Sequence, residues 1–478
     1  MNRIFAAMIA QLAGFFQLVA ITHVAAIDAE RGSARSDLTV LVRGPRITAI
    51  GPSASMTVPK GARTIDGRGK WLIPGLWDMH VHSAVPSGRM MLSLYVANGV
   101  TGVRDMGGDF ATIKQWRAEM DSGSLVGPRI VAAGPYLDAH APPIPHIEVH
   151  TAEEGRLAVD SLAKLGVDFV KIHSALPRDA FFAAAREARA KHLFFAGHVS
   201  GQITILEASD SGQRSLEHLL GFVNVCTPAE SAAFAAVDPL RRIVFNTCTS
   251  QEQLPVYAHL ARNGTWVTPT LATAWEFAVL PKHEVPGDSL VRFVSDSLLV
   301  FLTQIFDAPP VLPADGDVLG RRLFAKRRQL VLALHNAGVP LLAGTDAPMR
   351  NVPPGFGLHE ELAELVRSGL TPAAALRTAT YEPARYFAAL DSLGTIEAGK
   401  LADLVLLDAD PRVDIANARR ISAVLTRGHV YTRADLDRML GVVEEAVRDG
   451  RALRTQKSEP KKANRRRRAG KSDRKGES

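Results

Sequence analysis

The sequence predicts an α/β protein, a (β/α)8 TIM-like barrel carrying a small β-sandwich domain built from both ends of the chain. Three observations lead there. Short β-runs punctuated by Gly and Pro occupy residues 37–73 and return between residues 402 and 431. Between them, eight apolar runs alternate with helical stretches, the count that a closed barrel requires. Metal-compatible side chains fall at or near the C-terminal ends of those runs, where the sites of such barrels gather.

At 478 residues the chain is long enough for a large core and more than one domain. With 46% hydrophobic and 22% charged residues it has the balance of an ordinary soluble globular protein. The formal net charge of +7 does not belong to the fold. From Lys457 onward there are ten Lys/Arg and three Asp/Glu, a surplus of seven that leaves everything before it close to neutral. Specific nucleic-acid binding by the folded part is therefore not expected.

Taken in order, residues 4–27 carry no formal charge and follow Arg3, with small residues at Val24 and Ala26. This reads as a signal peptide over residues 1–26, cleaved after Ala26, and hence as an exported protein, periplasmic or secreted. An uncleaved membrane anchor is the alternative. Residues 27–73 form the first part of the β domain, with β-runs at 38–42, 46–50 and 64–65 separated by Gly44-Pro45, Gly51-Pro52 and Asp66-Gly67. Residues 74–390 form the barrel. Its expected strands are the run ending at His80, then 100–105, 129–133, 168–173, 193–198, 214–218, 265–268 and 339–346. The stretch 275–326 is too long for a plain helix and should add helices near the barrel mouth. Residues 391–440 complete the β domain with runs at 402–407, 421–425 and 429–431. Residues 441–478, with four consecutive arginines at 465–468, read as a disordered basic tail suited to anionic surfaces. Cys226 and Cys248 are the two cysteines; they have no metal-ligand spacing and read as core residues or one optional bridge.

The chain is organised around Trp71-Leu-Ile-Pro-Gly-Leu-Trp-Asp-Met-His80-Val-His82. Residues i and i+2 of a strand share a face, so His80 and His82 converge while Val81 turns away. Two imidazoles at one strand end supply half of a transition-metal site. Lys171, His198, His218 and Asp346 occupy corresponding positions on later strands. Strands one, four, five, six and eight thus bring six metal-compatible groups to one rim.

The runs Pro74-Gly-Leu-Trp-Asp-Met-His-Val-His82, Phe169-Val-Lys-Ile172, Ala196-Gly-His198, Leu216-Glu-His218 and Ala343-Gly-Thr-Asp346 together resemble the amidohydrolase superfamily of metal-dependent hydrolases. Gly369-Leu-Thr-Pro-Ala-Ala-Ala-Leu-Arg-Thr-Ala-Thr380 and Leu393-Gly-Thr-Ile-Glu-Ala-Gly-Lys-Leu-Ala-Asp-Leu404 extend the likeness. Within the superfamily the chain is most similar to the imidazolonepropionase-like branch, which includes dipeptidases acting on Xaa-Pro. The resemblance implies two divalent metal ions, zinc by expectation. His80 and His82 would hold the first and His198 and His218 the second, with Lys171 carboxylated to a bridging carbamate. Asp346 would ligate the first metal and act catalytically as the proton shuttle for the attacking water. His173 shares the inward face of Lys171 and either touches substrate or lines the barrel top. Tyr136, His140 and His146 lie on the loop after strand three, as substrate contacts or as solvated loop residues. His359 reads as a cap or packing residue.

The expectation is an enzyme, a metal-dependent amidohydrolase cleaving a C–N bond of a small molecule or dipeptide. A dipeptidase of Xaa-Pro type leads, and a cyclic amidohydrolase of imidazolonepropionase type is the runner-up. A non-catalytic metal-binding barrel module is the rival from another class.

Overall fold

The computed structural model describes residues 17–140, 144–222, 253–279, 290–306 and 316–458. Cys226 and Cys248 lie outside these described residues. Two bodies of β-structure share the chain. The first joins both chain ends in one eight-stranded sheet built from β1 (Leu18–Ile27), β2 (Ala34–Arg43), β3 (Arg46–Pro52), β4 (Arg63–Asp66), β5 (Trp71–Pro74), β15 (Leu404–Leu407), β16 (Ile421–Thr426) and β17 (His429–Thr432). Its order is β17-β16-β15-β5-β1-β2-β3, with β4 also on β1. The seam between the ends is the antiparallel pair β5–β15, where Pro74, Ile73, Leu72 and Trp71 face residues 404–407. Alternate residues of these strands, among them Val19, Ile21, Val40, Val42, Leu72, Leu404, Leu406 and Leu425, form a core separate from the rest of the molecule.

The beginning of this sheet differs from the expectation. Leu18–Ile27 is its longest-paired strand: β2 runs antiparallel along it, β4 and β5 pair with it in parallel, and Val19, Ala20, Ile21, Val24, Ala26 and Ile27 are buried. The uncharged run that reads as a leader is thus, in its second half, an apolar strand. Composition alone does not separate the two, because both are short, apolar and bounded by polar residues. A cut after Ala26 would remove nearly all of β1. No helix among the described residues is long and apolar enough to cross a membrane.

The second body is TIM-barrel-like α/β structure. β6 (Leu76–Val81), β7 (Val100–Asp105) and β8 (Arg129–Ala132) run parallel in one sheet. β9 (Tyr136–Asp138), β10 (His146–Glu148), β11 (Val170–Ile172), β12 (Phe195–Gly197), β13 (Gln213–Glu217) and β14 (Trp266–Thr268) form another, in the order β10-β9-β11-β12-β13-β14. The run expected as the eighth strand makes isolated parallel bridges, Leu341 to Val267 and Ala347 to Val81. Helices follow the strands on the outside. Thr151 caps helix Ala152–Leu165 in a reciprocal box with Glu154, and Gly166 ends it in a left-handed conformation. Buried aliphatic and aromatic residues of strands and helices form one large core.

Helices also fill part of the stretch 275–326, at Leu271–Val279, Asp296–Phe306 and Gly316–Asn336. At the C-terminus the expected disorder from residue 441 gives way to a helix, Arg433–Ser458. Leu436, Leu440, Val443 and Val447 recur at helical spacing; Leu436, Val443 and Val447 are buried. Leu440 and Val443 pack in the cluster of Met91, Leu94, Phe293 and Val294. The high local charge hid this narrow stripe. The tail beyond Ser458 lies outside the described residues.

Candidate metal centre

Every expected metal residue reaches the same rim. His80 lies in β6 and His82 just past it; Lys171 lies in β11; His198 and His218 directly follow β12 and β13; Asp346 follows the Leu341 bridge. His80 Nε2 and His82 Nε2 each lie 3.4 Å from Asp346 Oδ1. These three form a group whose ligand atoms are all within 4.8 Å of one another. The ring of His218 stands 4.4 Å from that of His80 and 4.8 Å from that of His198. His173 adds a fifth imidazole, 4.2 Å from His198.

The backbone is bent to make this convergence. His218 and Asp346 both have positive φ, near +61°, a conformation that non-glycine residues adopt at a cost of order 1–3 kcal/mol. Arg327 Nη1 donates to the His218 carbonyl at 3.0 Å, holding that bend. Gly344 is required by close approach, since a Cβ there would meet Thr268 Cγ2 at 2.5 Å and His80 Cβ at 2.9 Å. Asp78 ties the two sides together: its carboxylate accepts from Thr345 N at 3.0 Å and Thr345 Oγ1 at 2.7 Å, and burial pushes its pKa up to about 7.

Each imidazole is oriented through Nδ1. His80 Nδ1 donates to Glu217 Oε2 at 2.8 Å and His82 Nδ1 to the Gly107 carbonyl at 3.0 Å. His198 Nδ1 pairs with Ser174 Oγ at 2.6 Å, and His218 Nδ1 with Thr270 Oγ1 at 2.8 Å. This is the support that metal-ligating histidines use, one nitrogen held and the other presented. The residue pattern alone did not single out these supports. Glu217, adjacent to His218, is the most consequential. It is fully buried, and Arg104 Nη2 donates to both its oxygens, at 2.9 and 3.0 Å, while Arg104 also reaches Ser215, Tyr386 and the Met79 carbonyl. The only sequence signal for this pair was two charged residues on strands otherwise bound for burial.

The residues fit divalent metal. His80 Nε2 is fully buried, makes no hydrogen bond among the described residues and faces the Asp346 carboxylate. An orphaned ligand atom in a dry site is costly without something to bind. Burial, reinforced by the neighbouring positive charge of Lys171, pushes His80 and His198 well below the usual imidazole range. Burial and the nearby His80 do the same for His218. All three are therefore neutral, the form that binds metal. Burial raises the Asp346 carboxyl, but the surrounding His218 and His82 imidazoles, the latter through a hydrogen bond, together with Lys171 outweigh it and leave a net lowering. Burial likewise pulls Lys171 down to about 8.

The remaining expected residues divide. Tyr136 is buried and its ring lies 4.9 Å from His173. His146 is half-buried with Nδ1 on the Ile144 carbonyl, and His140 is exposed. His359 is buried away from the rim, donating from Nε2 to the Asn98 carbonyl at 2.9 Å, as a packing residue does.

Parallel strands flanked by helices, with imidazoles and a carboxylate gathered at their C-terminal ends as a candidate metal group, are the arrangement of a TIM-barrel-like α/β enzyme. The sequence profile of the Amidohydrolase family matches residues 71–431, and the chain belongs to that family, hydrolases acting on carbon–nitrogen bonds. It is 24% identical over 406 residues to an imidazolonepropionase of Pseudomonas savastanoi pv. phaseolicola, covering 82% of this chain and 93% of the relative. Among solved structures, a bottromycin amidohydrolase superposes with a TM-score of 0.72 at 24% identity, covering 90% of each chain. An Xaa-Pro dipeptidase with methionine in its active site superposes with a TM-score of 0.64 at 21% identity, covering 87% of this chain and all of that one.

Proposed function

We propose that the chain is a two-metal hydrolase that attacks an amide carbonyl of a small substrate with water. The observation that carries this reading is the imidazole cluster itself, with the Nδ1 of His80, His82, His198 and His218 engaged and the buried His80 Nε2 left for a ligand. His80, His82 and Asp346 would hold one divalent cation and His198 and His218 another, with zinc the expected ion. Bound there, the cations acidify water and polarise the scissile carbonyl. The reading takes the strands as a closed (β/α)8 barrel, supported by the bridges at Leu341 and Ala347.

The chain's own residues supply the rest. Asp346, ionised and beside both His80 and His82, accepts the proton of the attacking water and passes it to the leaving nitrogen. Lys171, buried and with its ammonium destabilised, reacts as the free amine with carbon dioxide; the carbamate N–C bond forms and one proton is released. Such a carbamate would supply anionic oxygens to the cluster. His82, His198 and His218 keep their rings fixed throughout.

Two substrate classes fit the relatives. Imidazolonepropionases stand among the sequence relatives, and an Xaa-Pro dipeptidase among the structural ones. The proposal includes export by a leader that ends before Leu18, because β1 is part of the fold. Hydrolysis of a panel of dipeptides and cyclic amides, with metal content measured on the same preparation, tests the reading. Turnover that is lost on chelation and returns with metal is the expected result. Absence of both metal and turnover across the panel would overturn it.

A further inference from the structure

We propose that the substrate's scissile amide carries an N–H, read by an acceptor–donor pair that His173 and Tyr136 form beside the metal centre. This inference rests on the hydrolase reading above and specifies its substrate.

The acceptor is His173 Nε2. His173 Nδ1 faces Asp138 Oδ2, and the other oxygen of this buried carboxylate accepts from Ala139 N at 2.8 Å and Ala175 N at 2.9 Å. A carboxylate opposite Nδ1 holds the ring N–H there and leaves Nε2 as the nitrogen that can accept. The donor is Tyr136, 2% exposed, whose hydroxyl is buried without a partner among the described residues. The two rings lie 4.9 Å apart and inclined by 33°.

Their place ties them to the reacting centre. The His173 ring is 4.2 Å from that of His198. On the other side Tyr136 abuts Gly107, whose carbonyl holds His82; a Cβ on Gly107 would meet Tyr136 Cδ1 at 2.9 Å and His82 Cε1 at 3.6 Å. The pair thus stands between the two halves of the imidazole cluster. A secondary amide offers the complement, a carbonyl for the phenol and an N–H for the imidazole. A tertiary amide, as in an Xaa-Pro bond, has no N–H and would leave His173 Nε2 facing nothing. Sites that hydrogen-bond a substrate group discriminate strongly against analogues lacking it. The geometry therefore favours cyclic or linear secondary amides over the proline imide.

The test uses the full-length, metal-loaded protein and matched pairs: a cyclic amide against its N-methyl counterpart, and an Xaa-Ala against an Xaa-Pro dipeptide. We expect kcat/KM to favour the N–H member by at least about 30-fold. His173→Phe should compress that ratio to within about threefold, while Tyr136→Phe lowers kcat for both members and keeps the ratio. Asp138→Asn, which frees the ring tautomer, should compress the ratio likewise if His173→Phe does not fold. Calorimetric binding of a non-hydrolysed lactam and its N-methyl form gives the same comparison without turnover. An N–H preference in binding with no hydrolysis would keep this proposal and sink the hydrolase reading. Equal hydrolysis of both members, or a preference unchanged in His173→Phe and Asp138→Asn, would overturn this proposal and leave the hydrolase reading standing.

Discussion

Glu217 shows how a single buried carboxylate orients a neighbouring imidazole, His80. It accepts the His80 Nδ1 proton and is itself neutralised by Arg104, both fully buried. Glu217→Gln weakens that orientation, and metal affinity read by competition with a chelator should fall about 10–100-fold. Arg104→Leu strands the carboxylate and should destabilise the fold by roughly 3–5 kcal/mol in denaturant titration. Asp346→Asn keeps size and one ligating oxygen, so metal content should persist while kcat drops about 10²–10⁴-fold. Lys171→Ala should instead lower metal content, with partial rescue by added short carboxylic acids. His359 gives a prediction independent of metal. Burial pulls its pKa down to about 4, below the unfolded value near 6.5. Its contribution is therefore present above pH 6.5 and lost as pH falls towards 4, up to roughly 3 kcal/mol in all. His359→Gln should flatten the stability slope across that interval. The clustered residues stand out in the sequence because His, Lys and Asp at strand ends are few and conspicuous. Their supports do not, because Ser174, Thr270 and the Gly107 carbonyl are ordinary groups that only the folded geometry brings to Nδ1.

Among elements, β1 and the last helix depart from what their composition suggests, for opposite reasons. Leu18–Ile27 is apolar enough to pass for a leader, yet it pairs with β2, β4 and β5. Its Val19, Ile21 and Val24 are buried, which contributes roughly 4–9 kcal/mol at 1.5–3 kcal/mol for each side chain. That is comparable to the whole stability of a typical domain. A chain beginning at Ile27 should therefore be insoluble or lack a cooperative melting transition, whereas one beginning at Gln17 should fold. Thermal unfolding of the two decides it. Helix Arg433–Ser458 looks like charged tail because its apolar stripe is narrow, but Val443 joins Met91, Leu94 and Phe293 in a buried cluster. Ending the chain after Thr432 should lower Tm measurably, and ending it after Ser458 should not. The parallel strands are easier to read, since runs such as 100–105, 168–173 and 193–198 each lead through a turn into a helix. The eighth was legible as a run from 339 to 346, although in the fold it makes isolated bridges.

At the scale of the molecule, the two-ended β domain and the barrel-like body were both visible in how texture changes along the chain. The pairing of residues 71–74 with 404–407 joins segments more than 300 residues apart, and no local pattern encodes it. The C-terminal segment brings only three strands, β15 to β17, and completes its sheet by pairing β15 with β5. That closure also sets β6 directly after β5, so the sheet that joins the termini leads into the strand that carries His80. In the function proposed above, this arrangement holds divalent metal for hydrolysis. Elemental analysis of the purified full-length protein, before and after chelation, and alongside His80→Asn, addresses it most directly. Two divalent cations per chain are expected in the native protein, removed together with amide hydrolysis by chelation. Zinc should restore both, and His80→Asn should hold at most one cation. A protein that hydrolyses its amide substrate at full rate after its metal has been stripped would contradict the proposed function.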